Sequence, residues 1–266
     1  EGLVAALNAG LEAATGELVA RLDADDLAHP DRLIRQRAAM RRHGWTVCGT
    51  GVRCFPTQAI SDGLRRYEAW QNGLVDHTDL ALARFVESPL VHPSVMFERA
   101  AVARIGGYVD RGWPEDYDLW LRLFEVGATF GKVSAPLTFW RDHPGRVTRT
   151  AAHCRAEAVR ACRAHYLLRG PARGRALRIA GTGRDAKRLA RLLVAGGATL
   201  RGWLDINPRR LGQRIHGAPV ERFEDAPLRD DEVLLVAVGS VGRRDHVRAL
   251  FAAAGLVEGH HFWCVA

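Results

Sequence analysis

The amino-acid sequence predicts an α/β protein made of two domains. Segments with strand-like and helix-like spacing of apolar residues alternate along the chain, and the composition changes near residue 169. A second alternation of strands and helices then begins near residue 176. Such alternation is typical of sheets that contain parallel strands and are covered by helices. We therefore predict domains over 1–168 and 176–266, joined by a linker over 169–175.

The elements of the first domain follow from the spacing of its apolar residues. Leu3, Leu7 and Leu11 lie at helical spacing, and Pro30 suits the first turn of a helix. The predicted helices cover 3–14, 30–43, 65–86, 114–126 and 151–168, the strands cover 18–22, 47–55, 94–97 and 133–141, and a helical turn covers 100–105. Because no strand precedes the first helix, we expect residues upstream of Glu1 to belong to the same domain.

The second domain begins after the segment RGPARGR, whose Gly, Pro and charged residues suit a solvated linker. We predict strands over 177–180, 199–204 and 233–238, and helices over 185–195 and 244–254. This pattern favours a small parallel sheet with helices on its faces.

Charge and composition limit the partners and the location. The formal net charge of +8 favours anionic partners, yet the basic residues are scattered and no nucleic-acid-binding motif accompanies them. We therefore predict no nucleic-acid partner. Apolar runs are far shorter than the roughly 20 residues that a membrane-spanning helix needs. Five cysteines without a C-x-x-C spacing fit a reducing cytoplasm, so we predict a cytoplasmic protein that can associate peripherally with the inner membrane.

Three carboxylates crowd the segment RLDADDLAHPDRL, directly after a predicted strand: Asp23, Asp25 and Asp26. Carboxylates this close raise one another's pKa unless a cation lies among them. Hard oxygen ligands suit Mg²⁺ or Mn²⁺, and residues i and i+2 of an extended segment point the same way. The alternative is that Asp26 caps the following helix and the other two are solvated.

The longer segment LNAGLEAATGELVARLDADDLAHPDRLIRQ resembles family 2 glycosyltransferases with the GT-A fold. The matching residues are Asn8, Gly10, Ala14, Gly16, Glu17, Asp23 to Asp26, Pro30, Arg32, Leu33 and Gln36. The resemblance implies that Asn8, Gly10, Arg21 and Asp23 contact a nucleotide-sugar donor, and that Asp23 and Asp25 hold the metal. It covers about 2–150, so it implies a partial GT-A domain without the first nucleotide-binding βα units.

A second segment, HPSVMFERAAVARIGGYVDRGWPEDYDLWLRLFEVG, resembles the acceptor half of these enzymes. The resemblance makes Asp116 the base that deprotonates an acceptor hydroxyl, with Glu115 holding the acceptor. The alternative is structural, because acids in the first turn of a helix are stabilised by the helix dipole. Trp113, Tyr117 and Trp120 offer an aromatic face for a sugar ring, although helical spacing favours a core position for Trp120.

A third segment, FWRDHPGRVTR, follows the last predicted strand of the first domain. The resemblance implies that His143 completes the metal shell, whereas a lone loop histidine is usually solvated. Arg141 and Arg146 are candidates for neutralising a diphosphate, since guanidinium pairs well with phosphate oxygens.

The second domain contains Gly181-x-Gly183-x-x-Ala186 between a predicted strand and a predicted helix, with Asp205 22 residues beyond Gly183. This spacing predicts a nucleotide site formed by Gly181, Gly183 and Asp205. The domain resembles the small Rossmann-like domains of some sugar-modifying acyltransferases and glycosyltransferases. A degenerate scaffold or a partner-docking module is the alternative.

Together these segments predict a metal-dependent transferase. It moves a sugar from a nucleotide-diphosphate sugar to a hydroxyl of a glycan or lipid-linked glycan, with inversion implied by the family. One rival is a nucleotide- or NAD-binding protein that acts through the second domain, and another is a non-catalytic interaction protein. A phosphatase with Asp23 as nucleophile is disfavoured, because Leu27 and Ala28 stand where such sites want Thr or Val.

Overall fold

The computed structural model describes residues 2–239 and 242–266, and it divides into two compact units. Unit 1 comprises the residues up to Arg84 together with Ser88–Val159, and unit 2 comprises Phe85–Glu87 and Arg160–Ala266. Each unit contains one mixed or parallel sheet with helices, so the predicted α/β class is confirmed. No helix in the described part of the chain has both the length and the apolarity that a bilayer crossing requires.

Unit 1 is built on a five-stranded sheet. Its strands are β1 (Leu18–Ala20), β2 (Leu27–Ala28), β3 (Val47–Phe55), β4 (Met96–Glu98) and β5 (Phe130–Arg141). Its helices are α1 (Gly2–Ala13), α2 (Arg32–His43), α3 (Asp62–Gly73), α4 (His77–Ala83), α5 (Arg99–Arg104), α6 (Glu115–Glu125) and α7 (Val147–Thr150). Short 3-10 turns lie at Thr57–Ala59, His92–Ser94 and Ala152–Cys154, and α8 (Ala156–Arg169) crosses the boundary between the units.

The strand order β1-β4-β3-β5-β2 places the acidic segment at one end of the sheet. β3 and β5 are parallel, whereas the pairs β1–β4, β3–β4 and β2–β5 are antiparallel. Because β1 and β2 are the two edge strands, the connection formed by residues 21–26 crosses the end of the sheet from one edge to the other. We call this segment the acidic connection. The chain leaving β5 after Arg141 meets it there.

Helix α2 begins two residues later than predicted, at Arg32, and is fixed to the sheet by buried polar side chains. The Arg32 guanidinium donates to the Gln36 Oε1 atom (3.0 Å) and to the carbonyls of Arg21 (2.7 Å) and Val95 (3.2 Å). Gln36 donates in turn to the carbonyls of Cys48 and Ser94. These two side chains therefore connect α2 with β3, with the segment before β4, and with the start of the acidic connection.

The single helix predicted over 65–86 is observed as two helices, because α3 ends at Gly73 and α4 begins at His77. The Ser61 hydroxyl accepts a hydrogen bond from the Leu64 N–H, and the Asp76 carboxylate accepts one from the Asp79 N–H. Each helix thus has its own N-cap, a signal that the apolar spacing does not reveal.

Unit 2 contains a six-stranded sheet in the order β11-β10-β6-β7-β9-β8. The strands are β6 (Ala176–Ala180), β7 (Leu200–Leu204), β8 (Arg214–Ile215), β9 (Ala218–Glu221), β10 (Glu232–Val236) and β11 (Phe262–Cys264), and the helices besides α8 are α9 (Arg184–Ala195) and α10 (Arg243–Ala253). All pairs are parallel except β8–β9. The chain order reverses between β6 and β10, where open α/β sheets place their ligand crevices.

The predicted linker over 169–175 makes contacts with residues of unit 2, and its role as a linker stays a prediction. Ala172 is buried, and the Arg175 guanidinium donates to the carbonyls of His260 (3.0 Å) and Glu232. This stretch packs within unit 2, and the boundary between the units lies inside α8, between Val159 and Arg160. The extents 1–168 and 176–266 remain predictions as functional domains.

Candidate active site

The acidic connection is a turn and not the extended segment that the sequence suggests. The Asp26 N–H donates to the Asp23 carbonyl at 3.2 Å, so Asp23 and Asp25 do not project in the same direction as i and i+2 residues of a strand. Asp23 forms an ion pair with Arg21. The Asp25 Oδ2 atom lies 3.1 Å from the His143 Nε2 atom.

Two of the three predicted metal ligands, Asp25 and His143, therefore meet at the end of the sheet. Both side chains are accessible, with exposed fractions of 47% and 43%. Within the described residues, no group of three or more His, Cys, Asp and Glu side chains is close enough to hold a metal ion. One carboxylate and one imidazole leave most of a coordination shell for water and substrate phosphates; the carboxylate oxygen suits Mg²⁺ or Mn²⁺, whereas an imidazole nitrogen is not a usual Mg²⁺ ligand.

Asp26 is buried and does not cap α2, so the structural alternative for this residue is wrong. Its Oδ1 atom accepts the Arg141 N–H at 2.7 Å, which joins the acidic connection to the end of β5. Its Oδ2 atom is buried and has no hydrogen-bond partner among the residues that the structure describes. Burial, with the nearby charges of Asp23 and Asp25, raises the pKa of Asp26 to about 6 although the Arg141 N–H opposes the rise.

The two arginines predicted to bind a diphosphate, Arg141 and Arg146, differ in the contacts that their guanidinium groups already make. The Arg141 guanidinium lies 4.4 Å from the centre of the Phe55 ring, and its Nε atom donates to the Asp25 carbonyl at 2.7 Å. The Arg146 guanidinium stacks on Trp140 and donates to the buried Asp142 carboxylate at 3.2 Å. Asp142 partly neutralises Arg146, so Arg141 is the better placed of the two for an anion.

Sequence reasoning missed Asp142, which anchors the segment after β5. Its carboxylate binds Arg146 and Arg149, and its N–H donates to the Phe55 carbonyl at 2.7 Å. Asp142 and Arg146 lie before α7, with Pro144 and Gly145 between them, so helical spacing gives no signal for this cluster.

The first turn of α6 places Glu115 and Asp116 in the same unit. The Asp116 Oδ1 atom accepts the Tyr117 N–H at 2.7 Å. Burial, followed by the Glu115 charge, raises the pKa of Asp116 to about 7, and the Arg21 charge opposes this rise. The Arg21 charge that opposes this rise belongs to the residue paired with Asp23.

Two histidines flank the buried Glu115 carboxylate. His92 Nδ1 lies 3.7 Å from Glu115 Oε1, and His153 Nε2 lies 3.9 Å from Glu115 Oε2. His92 also pairs with the Tyr108 hydroxyl at 2.9 Å, and burial holds the pKa of His92 well below its usual range. Neither histidine was predicted as a site residue, because they lie 61 residues apart and no local spacing pairs them.

The Asn8 side chain connects α1 to the backbone of Tyr108 through two hydrogen bonds. Its side-chain amide donates to the Tyr108 carbonyl at 2.8 Å and accepts the Tyr108 N–H at 2.9 Å, so both polar ends are occupied. A Cβ at Gly107 would lie 2.6 Å from the Asn8 Oδ1 atom, which explains the glycine there. Donor contact by Asn8 or by the exposed Gly10 stays a prediction.

We expect Asn8→Ala to lower the free energy of unfolding by about 2 kcal/mol, because two hydrogen bonds to the Tyr108 backbone are lost. Nucleotide affinity should stay within twofold of the wild type. Chemical denaturation and calorimetric titration with UDP and GDP measure the two effects. A tenfold loss of nucleotide affinity without loss of stability would instead support the donor-binding role.

The predicted aromatic face is largely core. Tyr117 is buried and its hydroxyl donates to the Arg84 carbonyl at 2.6 Å, so its predicted contact with a sugar is wrong. Trp120 is fully buried, as helical spacing favours. Trp113 is half-buried, and its Nε1–H donates to the Asp118 Oδ1 atom at 2.8 Å. Only Trp113 keeps an accessible ring surface.

The predicted nucleotide residues of unit 2 are only partly arranged for a ligand. Gly181 has a φ of +98°, and a Cβ there would lie 3.0 Å from the Ala237 carbonyl oxygen, so glycine is required at this strand end. Gly183 has an ordinary conformation and open space around it. Asp205 accepts the Thr182 hydroxyl and the Asn207 N–H, so its carboxylate ties two loops together. Nucleotide binding here stays a prediction.

Comparison with known proteins gives the decisive observation for unit 1: residues 1–106 match the family model described as Glycosyl transferase family 2. This part of the chain is similar to glycosyl transferase family 2. The match contains the acidic connection and α2, whereas α6 and His143 lie beyond it.

Curated relatives carry related names. The amylovoran biosynthesis glycosyltransferase AmsE of Erwinia amylovora is 35% identical over 127 residues, which are 47% of this chain and 45% of AmsE. The UDP-Gal:alpha-D-GlcNAc-diphosphoundecaprenol beta-1,3-galactosyltransferase of Escherichia coli is 28% identical over 53% of this chain and 49% of its own. This chain therefore spans about half the length of these relatives.

Solved structures include similar chains. Residues 1–349 of TarS from S. aureus, in complex with UDP-GlcNAc, align with a TM-score of 0.46 and 14% identity. The alignment covers 70% of this chain and 50% of that one.

Proposed function

We propose that this chain carries the catalytic centre of a family 2 glycosyltransferase, which moves a sugar from a nucleotide-diphosphate sugar to a hydroxyl of a glycan or lipid-linked glycan. One observation carries the proposal: the Asp25 carboxylate and the His143 imidazole lie 3.1 Å apart, although 118 residues separate them, in a unit whose residues 1–106 match this family. The names of the glycan-building relatives support the acceptor class.

Asp25 and His143 fit a divalent ion such as Mn²⁺ or Mg²⁺. They are 3.1 Å apart, accessible, and supply one hard oxygen and one imidazole nitrogen, and the unpartnered Asp26 Oδ2 atom lies in the same turn. When bound, the ion stabilises the negative charge that develops on the departing nucleotide diphosphate. Asp23 remains a candidate ligand if its ion pair with Arg21 opens.

Side chains of the protein bind the diphosphate, accept the proton of the acceptor hydroxyl and orient the acceptor. The Arg141 guanidinium, held beside the Asp25 carbonyl, is placed to bind the diphosphate. The Asp116 carboxylate accepts the proton of the acceptor hydroxyl as that oxygen attacks the anomeric carbon from the face opposite the leaving group. Glu115, between His92 and His153, orients the acceptor. Inversion is what the family implies for a single displacement of this kind.

The test is a donor screen with Mn²⁺ and with EDTA. The purified protein is incubated with UDP-, GDP- and dTDP-sugars, and release of the nucleotide diphosphate is measured. We expect Mn²⁺-dependent turnover of one donor class, with Asp25→Ala and His143→Ala each lowering Mn²⁺ affinity by about tenfold or more. Calorimetric titration with Mn²⁺ measures the affinity independently of turnover.

Asp31→Ala is the matched control, because Asp31 is an exposed acid six residues from Asp25 whose side chain makes no cap hydrogen bond. Its Mn²⁺ affinity should equal that of the wild type. Equal Mn²⁺ affinity in Asp25→Ala, His143→Ala and Asp31→Ala would contradict the metal assignment. Absence of turnover with every donor would contradict the transferase itself.

A further inference from the structure

Helix α2 has two faces of different chemistry. Its inward face carries Arg32, Gln36 and Met40, which are buried against the sheet. Its outward face carries Leu33 and Ile34, which are 55% and 70% exposed. In the described part of the chain eleven large apolar side chains are exposed, and four of them lie between Leu22 and Ile34.

The exposed side of the same helix is strongly basic. Arg35, Arg37, Arg41 and Arg42 are all exposed, and none of the four pairs with a carboxylate of the residues that the structure describes. At 3.6 residues per turn, Arg37 and Arg41 lie on the same face as Leu33 and Ile34, whereas Arg35 and Arg42 lie on the other flank of the exposed side. The outward face therefore combines two unburied aliphatic side chains with the unneutralised charges of Arg37 and Arg41, and two further arginines flank it.

We propose that the outward face of α2 docks on an anionic lipid surface, with Leu33 and Ile34 among the head groups and Arg37 and Arg41 against the lipid phosphates. A helix with an aliphatic patch beside arginines is the usual composition of an interfacial helix. Arginine stems lie along the apolar layer while their guanidinium groups reach the phosphates. The inference rests on the proposed function for its purpose, because a lipid-linked acceptor is presented at a membrane.

Charge complementarity selects a lipid surface over other occupants. A second copy of the chain would bring the same four arginines together, and like charges repel. A nucleic acid would satisfy the arginines, but its phosphate backbone offers nothing to Leu33 and Ile34. An anionic bilayer satisfies both groups, since it supplies phosphates and an adjacent apolar layer.

The experiment is vesicle flotation without nucleotide sugar or metal, so that failure of the transferase and failure of docking give separate results. Vesicles contain either equal parts of phosphatidylcholine and phosphatidylglycerol or phosphatidylcholine alone. We expect the wild type to float with the anionic vesicles only. The double variants Leu33→Gln/Ile34→Gln and Arg37→Gln/Arg41→Gln should each weaken binding by about tenfold or more, since each nearby arginine contributes about 1 kcal/mol.

Matched controls come from unit 2. Ile206→Gln/Val257→Gln removes two equally exposed aliphatic side chains, and Arg191→Gln/Arg209→Gln removes two exposed arginines. Both should bind within twofold of the wild type, and circular dichroism checks that every variant is folded. Wild-type protein that stays with neither vesicle, or α2 variants that bind as the controls do, would overturn the proposal. Loss of binding in the arginine variant alone would also overturn it, because binding would then be purely electrostatic.

Discussion

The Asp116→Asn variant should lose about 10²–10⁴-fold in kcat/KM for sugar transfer, the range expected when a general base is removed. The asparagine keeps an oxygen that can accept the Tyr117 N–H, so this hydrogen bond in the first turn of α6 is preserved. What is lost is a group that can accept a proton. In the wild type, kcat/KM should rise with pH through about 7, because burial and Glu115 raise the pKa of Asp116 to that value and only the deprotonated form acts as a base.

The same variant should be more stable than the wild type above neutral pH. The folded state raises the pKa of Asp116 above its unfolded value of 3.8, so the folded chain binds a proton that the unfolded chain releases between these two values. The contribution of Asp116 to the free energy of unfolding is therefore largest below about pH 4, where the carboxyl is protonated in both states. This contribution is lost as the pH rises through about 7. Asp116→Asn should match the wild type near pH 4 and exceed it by about 1–2 kcal/mol at pH 8, allowing for solvent screening.

Asp62→Asn separates catalysis from the helix-dipole alternative. Asp62 lies in the first turn of α3, as Asp116 does in α6. Both variants lose a favourable dipole interaction, but only Asp116→Asn should lose activity and gain stability at high pH. Steady-state kinetics between pH 5.5 and 8.5 and urea unfolding in EDTA measure the two effects. If kcat/KM of Asp116→Asn is within twofold of the wild-type value, Asp116 is not the general base, and only its interaction with the helix dipole remains.

Backbone elements were predictable wherever local signals were strong. The strand at Val47–Phe55 matches the sequence prediction, and the helix over 114–126 is observed at Glu115–Glu125, because apolar spacing and a proline before the first turn act within a few residues. The short strands β2, β8, β9 and β11 were missed. Strands of two to four residues carry too little periodicity, and their existence depends on a partner strand distant in sequence, such as β5 for β2.

The site was predictable as a set of residue types but not as a set of contacts. The sequence named Asp25 and His143, which the fold brings within 3.1 Å across 118 residues of chain. It treated Asp23, Asp25 and Asp26 as equivalent, whereas the fold gives each a different partner: Arg21, His143 and the Arg141 backbone. Those partners depend on how the end of β5 meets the turn, which no local pattern encodes.

Arg32 shows the same limit, and its replacement should have the largest effect on stability. The sequence placed Arg32 in a motif without a role, yet it is 2% exposed and donates to Gln36, Arg21 and Val95. Burial lowers the pKa of Arg32 to about 10, and the Asp26 charge opposes this. Arg32→Met would fill similar space but leave its three acceptors without this donor and the Asp26 carboxylate without this nearby positive charge. We expect the free energy of unfolding to fall by about 3 kcal/mol.

Arg35→Met is the matched control, because Arg35 lies on the exposed face of the same helix and should change stability by less than about 0.5 kcal/mol. Urea unfolding compares the variants, and hydrogen exchange of the 94–97 segment assigns any loss to unit 1. Faster exchange there in Arg32→Met would show that the bond to Val95 holds the segment next to β1. Because Arg32 also holds the Arg21 carbonyl, Mn²⁺ affinity should fall together with stability. Equal stability of the two variants would contradict the role of Arg32 in connecting α2 with the acidic connection.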